Sequence, residues 1–334
     1  MRITGFGDFL IHLSPMANER FMQAETMRMS FTGAEANTCA ALSLWGENVS
    51  FVTRLPEHPL AQKGVMALKS FGINTQHIAW GGKRMGLYFL ENGASVRPSQ
   101  VIYDRMDSGF TESSIKDFDI EAILSQTDTL YLTGITPALS EGLMDTSLTL
   151  CQEAHKHGID ITYDINFRPT LLSAKEAGIN LKKLAPYITT LIGNEEHIKM
   201  LLDITSEFGE NDREKRLLDI INQAREILSI PQIAVTVRRT LSASDSIIYA
   251  AFFDGKHFAV SPEYRLHVVD RVGSGDAFSS GLLYAKAKDF SVSDTVCFAA
   301  AACAMKHTIT NDINFATVDE ITKLMNFGTS DVRR

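Results

Sequence analysis

The chain has 334 residues, 45% of them hydrophobic and 22% charged, and 32 Lys and Arg against 40 Asp and Glu leave a net charge of −8. Such a composition buries a large core and excludes disorder; at about 100–200 residues per domain it suggests one large or two modest domains. The acidic balance argues against a nucleic-acid partner, because attraction to a phosphate backbone needs a basic field, so the expected ligands are small and any phosphate must meet local donors. Cys39, Cys151, Cys297 and Cys303 form no C-x-x-C pair, which predicts neither a disulfide framework nor structural zinc and fits a reducing compartment. The N-terminal stretch lacks a basic segment followed by an apolar one, and the small-apolar run Phe298–Met305 is too short for a bilayer. A cytoplasmic protein with no membrane partner is expected.

In chain order, a strand-like stretch over Glu25–Phe31 precedes a helical pattern over Ala34–Trp45. Gly81 to Met106 holds two short strand-like runs around a Glu-Asn-Gly turn with no helical period, which predicts a hairpin. These β segments are expected to meet as a small sheet projecting from the main body; a lid, a structural excursion and a dimer edge all fit it. From about residue 113, short β-branched runs alternate with helical patterns, the sign of a doubly wound, mostly parallel sheet. Strands are expected at Thr129–Leu132, Asp160–Tyr163, Thr189–Ile192 and Ile233–Val237, with helices over Leu139–His157 and Asp212–Leu228. In the second helix Leu217, Ile220, Ile221, Ala224 and Leu228 fall on one face, a core-facing stripe. His155 and His157 share no helix face and read as surface residues.

The stretch Val269-Asp-Arg-Val-Gly-Ser-Gly-Asp276-Ala-Phe-Ser-Ser-Gly281 passes from a strand-like run through Gly273-Ser274-Gly275 into a helical pattern. Its glycines let N–H groups converge at a helix N-terminus, where the dipole also favours an anion. A carboxylate at a phosphate cradle repels the anion unless it takes a proton from an attacking hydroxyl. By the residues alone Asp276 is either that base or a helix N-cap. Competing motifs fail. There is no Gly-x4-Gly-Lys-[Ser/Thr], Leu10 and Phe278 stand where a dinucleotide fingerprint needs its third glycine, and His-Glu-x-x-His is absent.

The same stretch resembles the C-terminal signature of the ribokinase-like (phosphofructokinase-B) sugar kinases, an Asp-Thr-x-Gly-Ala-Gly-Asp segment supplying an anion hole and a catalytic base. Gly33-Ala-Glu-Ala-Asn37 resembles that family's Gly-Gly-x-x-x-Asn signature, Gly7-Asp8 its first substrate-facing strand end, and Asn194-Glu195-Glu196 its Asn-x-x-Glu segment. The resemblance implies a three-layer α/β/α sandwich with a mostly parallel central sheet, one kinase domain over residues 1–330, and a small β-sheet lid from about 9–32 and 82–106. It implies ATP and magnesium as cofactors, with Asp276 as base and the N–H groups of Gly273, Ser274, Gly275 and Asp276 as the anion hole. Within the family, Asp164-Ile-Asn166-Phe-Arg168-Pro169 and Tyr103-Asp104-Arg105 look most like kinases of 2-keto-3-deoxygluconate. A sugar acid adds a carboxylate that suits the guanidinium fork, so Arg105 and Arg168 are expected to clamp it, beside Asp8, Gly33, Asn37, Tyr88 and Tyr103. Asp164 and Asn166 would face phosphates or metal, Arg238 the phosphates and Asn311 the nucleotide base, while Asn194 is cofactor-binding in the segment whose Glu195 or Glu196 orders the magnesium through water.

Three positions depart from the family pattern: His197 stands where Asn-x-x-Glu has its glutamate, Arg271 replaces a threonine, and Asn311 replaces a glycine. A fructokinase or other neutral-sugar kinase, and a non-catalytic sugar-acid binder, are the rival readings; a pure binder has no use for Asp276. A monovalent-cation requirement is left open, and the unpaired edges of the lid strands offer a way for two copies to pair.

Overall fold

Buried apolar runs bounded by turn residues become the strands of this protein, whose computed structural model describes residues 1–328. In chain order the strands are β1 (Arg2–Phe6), β2 (Leu10–Pro15), β3 (Met27–Thr32), β4 (Asn48–Val52), β5 (Arg54–Leu55), β6 (Ala79–Trp80), β7 (Leu87–Glu91), β8 (Gln100–Asp104), β9 (Thr129–Thr133), β10 (Asp160–Asp164), β11 (Thr190–Asn194), β12 (Gln232–Thr240), β13 (Asp245–Phe253), β14 (Phe258–Val260) and β15 (Tyr264–His267). The central sheet runs β14-β13-β12-β11-β10-β9-β1-β4, with β15 also paired to β13. From β12 to β4 all neighbours are parallel, whereas β13 pairs antiparallel with β12, β14 and β15.

Strands β9 to β12 lie where the sequence predicts them, because Leu130, Leu132, Ile161, Leu191, Ile233 and Val235 are buried in a sheet covered on both faces. Leu217, Ile220, Ile221, Ala224 and Leu228 of the helix Arg213–Leu228 join the core on one face of that sheet. Helices Ser274–Ala287 and Val292–Lys306 cover the other, where Phe278, Leu282, Val296 and Ala300 pack on Ile192, Ala234 and Ile248. The three-layer expectation therefore holds. The single helix expected over Leu139–His157 is divided into Thr136–Leu139 and Glu141–Lys156. Ser140 between them is extended (φ −162°, ψ 161°), and its hydroxyl accepts the Leu143 N–H at 3.3 Å as a helix cap.

A second sheet, ordered β3-β2-β7-β8, stands apart from the first. Its two antiparallel hairpins, β2–β3 and β7–β8, are joined through the parallel pair β2–β7. This is the small sheet expected from the two β segments. No helix among the described residues is long and apolar enough to cross a membrane.

Candidate active site

The carboxyl ends of the parallel strands deliver Asp8 just past β1, Asp164 at the end of β10 and Asn194 at the end of β11 to one cleft, roofed by Tyr88 and Tyr103 of the small sheet. Ligands of open α/β sheets bind at this edge. The cleft volume, about 770 Å³, is ample for a nucleotide and a six-carbon acid together.

At its centre lies Asp276. The helix it belongs to begins at Ser274 with Gly273 as the cap residue, so Asp276 sits inside the first turn and is not the N-cap. Its Oδ2 accepts the Asn37 amide N–H at 2.8 Å, and the Asn37 Oδ1 in turn accepts the Thr32 hydroxyl at 3.1 Å. Burial raises the Asp276 carboxyl to about 7, with the charges of Asp164 and Asp312 adding to the rise while Asn37 and Arg168 oppose it. A carboxyl poised there can exchange a proton near neutral pH. Gly273 adopts φ +73°, and a Cβ on it would lie 1.8 Å from the Asp312 carbonyl oxygen; a Cβ on Gly275 would meet nothing within 4 Å. One glycine serves the turn, the other leaves open space before the helix N-terminus. The Ser274 N–H turns back to the Arg271 carbonyl at 3.3 Å, leaving Gly275 and Asp276 to present the free N–H groups of the first turn.

At the small-sheet end, Arg105 follows β8 and is 3% exposed. Its guanidinium carbon stands 4.0 Å over the Tyr103 ring, and Nη1 is 3.8 Å from Asp8 Oδ2, too long for a hydrogen bond. Arg105 Nε and Nη2 and Asp8 Oδ2 have no hydrogen-bond partner. Burial raises the Asp8 carboxyl to about 6 even against the Arg105 charge. Tyr103 stacks on Tyr88 with centroids 5.2 Å apart. Arg168 reaches the same cleft, but its Nη1 curls back to the carbonyls of Asn166 (3.4 Å) and Phe167 (3.2 Å). Asn166 takes φ +38°, held by its N–H donating to Asp164 Oδ1 at 3.0 Å, while Asp164 Oδ2 accepts the Ser279 hydroxyl at 3.2 Å. Burial raises Asp164 to about 6.

Of the residues singled out from the sequence, Asp8, Gly33, Asn37, Tyr88, Tyr103, Arg105, Asp164, Asn166, Arg168, Asn194, Glu196, Arg238 and Gly273 through Asp276 line the cleft; Glu195 and Asn311 do not. Glu195 turns inward to Arg216 Nη2 at 3.2 Å, itself bonded to the Tyr249 hydroxyl. Asn311 (φ +66°) points its N–H at Asp270 Oδ2, 2.9 Å away. Gly33 serves an approach of backbones, since a Cβ there would lie 2.0 Å from the Asp8 carbonyl oxygen. Sequence reasoning missed Asp312, which lines the cleft beside the glycine turn, and His12 on β2, whose Nδ1 lies 2.6 Å from Asp312 Oδ2. The signals were a histidine at an inward position of a strand and, for Asp312, its place directly after Asn311 in a segment that resembles the family pattern. Among the described residues no three His, Cys, Asp or Glu side chains gather as metal ligands.

Residues 2–317 match the family described as pfkB family carbohydrate kinase. The chain belongs to that family. As a carbohydrate kinase it has the ribokinase-like α/β fold, mostly parallel, with the separate small sheet. The kinase is 35% identical to the crystal structure of 2-dehydro-3-deoxygluconokinase from Thermotoga maritima, with a TM-score of 0.93 over 97% of this chain and 99% of that one. A structure from Enterococcus faecalis titled a putative 2-keto-3-deoxygluconate kinase is 29% identical, TM-score 0.91, covering 100% of the kinase and 99% of that chain. A 2-dehydro-3-deoxygalactonokinase of Haloferax volcanii is 27% identical over 98% of both chains.

Proposed function

We propose that this kinase transfers the γ-phosphoryl group of ATP to the primary hydroxyl of 2-keto-3-deoxygluconate, giving 2-keto-3-deoxy-6-phosphogluconate and ADP. The observation that carries the substrate class is Arg105: a buried guanidinium with two unpartnered nitrogens, in the same cleft as a buried carboxyl at a helix N-terminus. A buried charged donor left unpaired is costly, and the carboxylate of a sugar acid is the group that relieves it, with Arg168 released from its carbonyls as the second donor. Tyr88 and Tyr103 wall the sugar, and Asp8 and Asn37 take its hydroxyls.

Asp276 accepts the hydroxyl proton as the new O–P bond forms and the bond to the ADP oxygen breaks. The N–H groups of Gly273, Gly275 and Asp276 meet charge on the transferring phosphoryl, each donor of this type being worth about 3–4 kcal/mol in comparable oxyanion sites. Magnesium would supply charge neutralisation on the triphosphate; no three-ligand cluster gathers among the described residues, and Asn194 and Glu196 at the cleft wall would hold the metal through water. Arg238 and Asn166 face the phosphates, and the small sheet closes as a lid that keeps water from acting as acceptor.

The test is ADP release with ATP and magnesium over 2-keto-3-deoxygluconate, 2-keto-3-deoxygalactonate, gluconate, fructose and ribose. Turnover confined to the keto-deoxy acids is expected; turnover with fructose or ribose instead would discard the arginine clamp. The two glycines give a paired prediction. Gly275→Ala fills the open space and is expected to raise the KM for ATP at least tenfold with a Tm within about 2 °C of wild type. Gly273→Ala strains a left-handed residue against the Asp312 carbonyl, at about 1–3 kcal/mol, and is expected to lower Tm by several degrees.

A further inference from the structure

Arg271 stands two residues ahead of Gly273, where the family pattern has a threonine, and it lines the cleft. Its backbone braces the glycine turn, the Arg271 carbonyl accepting the Ser274 N–H at 3.3 Å. Its side chain reaches elsewhere. Nη2 donates to the Ala243 carbonyl at 2.6 Å, in the turn that joins β12 to β13.

The tip of the small sheet rests on that same turn. Between β7 and β8, the Ser95 carbonyl accepts the Ala243 N–H at 2.8 Å, and the Ser95 N–H donates to the Ser244 hydroxyl at 2.8 Å. Ser95 takes φ +54°, a left-handed backbone that persists at a residue other than glycine where its surroundings hold it. Each side is fixed within itself. In the tip, Ala94 and Arg97 exchange two main-chain bonds of 2.9 Å, and Arg97 Nη1 donates to Glu91 Oε1 at 2.6 Å. In the facing turn, the Ser244 N–H donates to the Ser242 hydroxyl at 3.1 Å and the Ser244 carbonyl accepts the Val268 N–H at 2.6 Å.

Main-chain bonds between two such loops could form whatever residue stood at 271. What the guanidinium adds is a charged donor on the Ala243 carbonyl, made from the far end of a long side chain, beyond the reach of a threonine. It fixes the β12–β13 turn relative to Gly273. Val101 on β8 and Thr240 at the end of β12 both line the cleft, so the bridge spans it from the sheet that roofs it to the strand that carries Arg238.

We propose that Arg271 is a positioning residue for phosphoryl transfer: it holds the β12–β13 turn as the catch on which the tip of the small sheet closes, and so ties closure of the cleft to the glycine turn that receives the phosphoryl group. The inference rests on the kinase reading above.

The experiment has two arms. Hydrogen exchange, read on peptides covering Ser95 and Ala243 with neither sugar nor ATP present, is expected to be at least tenfold faster at Ser95 in Ser244→Ala and at Ala243 in Arg271→Met than in the wild type. In the second arm, ADP and phosphorylated sugar are both counted with ATP, magnesium and whichever acceptor of the panel turns over best. The wild type should release one ADP per phosphorylated sugar. Arg271→Met is expected to lose about tenfold in kcat, keep its KM for ATP within about threefold, and release at least two ADP per phosphorylated sugar, because the loosened cleft admits water as acceptor. Ser244→Ala, at a residue that does not line the cleft, should shift the ratio the same way with about a threefold loss in kcat. The double variant should be no more than about twofold slower than Arg271→Met, since both changes act on one bridge. A product ratio that stays at one in both variants overturns the proposal, as do losses that multiply in the double variant. A KM for ATP raised tenfold or more in Arg271→Met with exchange unchanged would make Arg271 a phosphate contact and overturn it too. Should Arg271→Met fail to fold, Ser244→Ala decides alone, by its exchange and its ratio. The exchange arm involves no substrate, so it still judges the bridge if every acceptor of the panel fails and the substrate reading falls.

Discussion

Asp276→Asn is expected to cut kcat by about 10²–10⁴-fold, the range for a lost general base, while sugar and ATP affinities stay within about threefold. The amide keeps the shape of the carboxylate and can still accept the Asn37 N–H, so the cleft need not rearrange. The wild-type rate should fall on the acid side of about pH 7, where Asp276 takes up its proton. Asn37→Ala removes a bond to the charged form and should move that acid limb to higher pH; Asp164→Asn removes a repelling charge and should move it lower. Stability runs opposite to activity. A carboxyl whose folded-state pKa is raised contributes stability that is complete below its unfolded value and lost as pH rises through about 7. Asp276→Asn should therefore raise the apo Tm at pH 8 and lose that advantage as the pH falls. Undiminished kcat in this variant, or an acid limb unmoved by the neighbours, would remove Asp276 from the role of base.

Arg105→Ala is expected to lower kcat/KM for the keto-deoxy acid by roughly 30- to 5,000-fold, from the 2–5 kcal/mol that truncating one member of a buried charge pair costs. The KM for ATP should change less than about threefold. Arg105→Lys should recover little, because an ammonium cannot fork onto a carboxylate or stack on Tyr103 as the guanidinium does. Arg168→Ala is expected to cost less, since that side chain must first leave two backbone carbonyls. Parallel kinetics on the sugar acid and on ATP check this, and equal losses for both ligands would count against a clamp on the substrate's carboxylate.

Strands β9 to β12 were legible because a strand buried on both faces is a near-continuous apolar run. The far end of β12 was not. Arg238 and Arg239 interrupt its apolar pattern, and only its antiparallel pairing with β13 extends it to Thr240. The glycine turn was legible because its chemistry lies within a few consecutive residues. Glu195 and Glu196 could not be told apart, since adjacent helical residues diverge by about 100° and only the fold shows that Glu196 faces the cleft. Asn311 stands where the family has a glycine because its backbone is left-handed, which asparagine tolerates better than most residues; the position is conformational and does not line the cleft. The His12–Asp312 contact was beyond reach because its partners are 300 residues apart and His12 lies in no recognisable signature.

That separation in sequence also bears on how the kinase is made. Asn37 meets Asp276 across 239 residues, and β1 is an interior strand between the edge strand β4 and β9. Contacts of such long loop closure are entropically costly and form late, so a growing chain has no complete substrate cleft until its last fifth has emerged. Ligands that grip this cleft will therefore slow unfolding far more than they speed folding, giving the cell a reserve of kinetic stability whenever sugar and nucleotide are abundant.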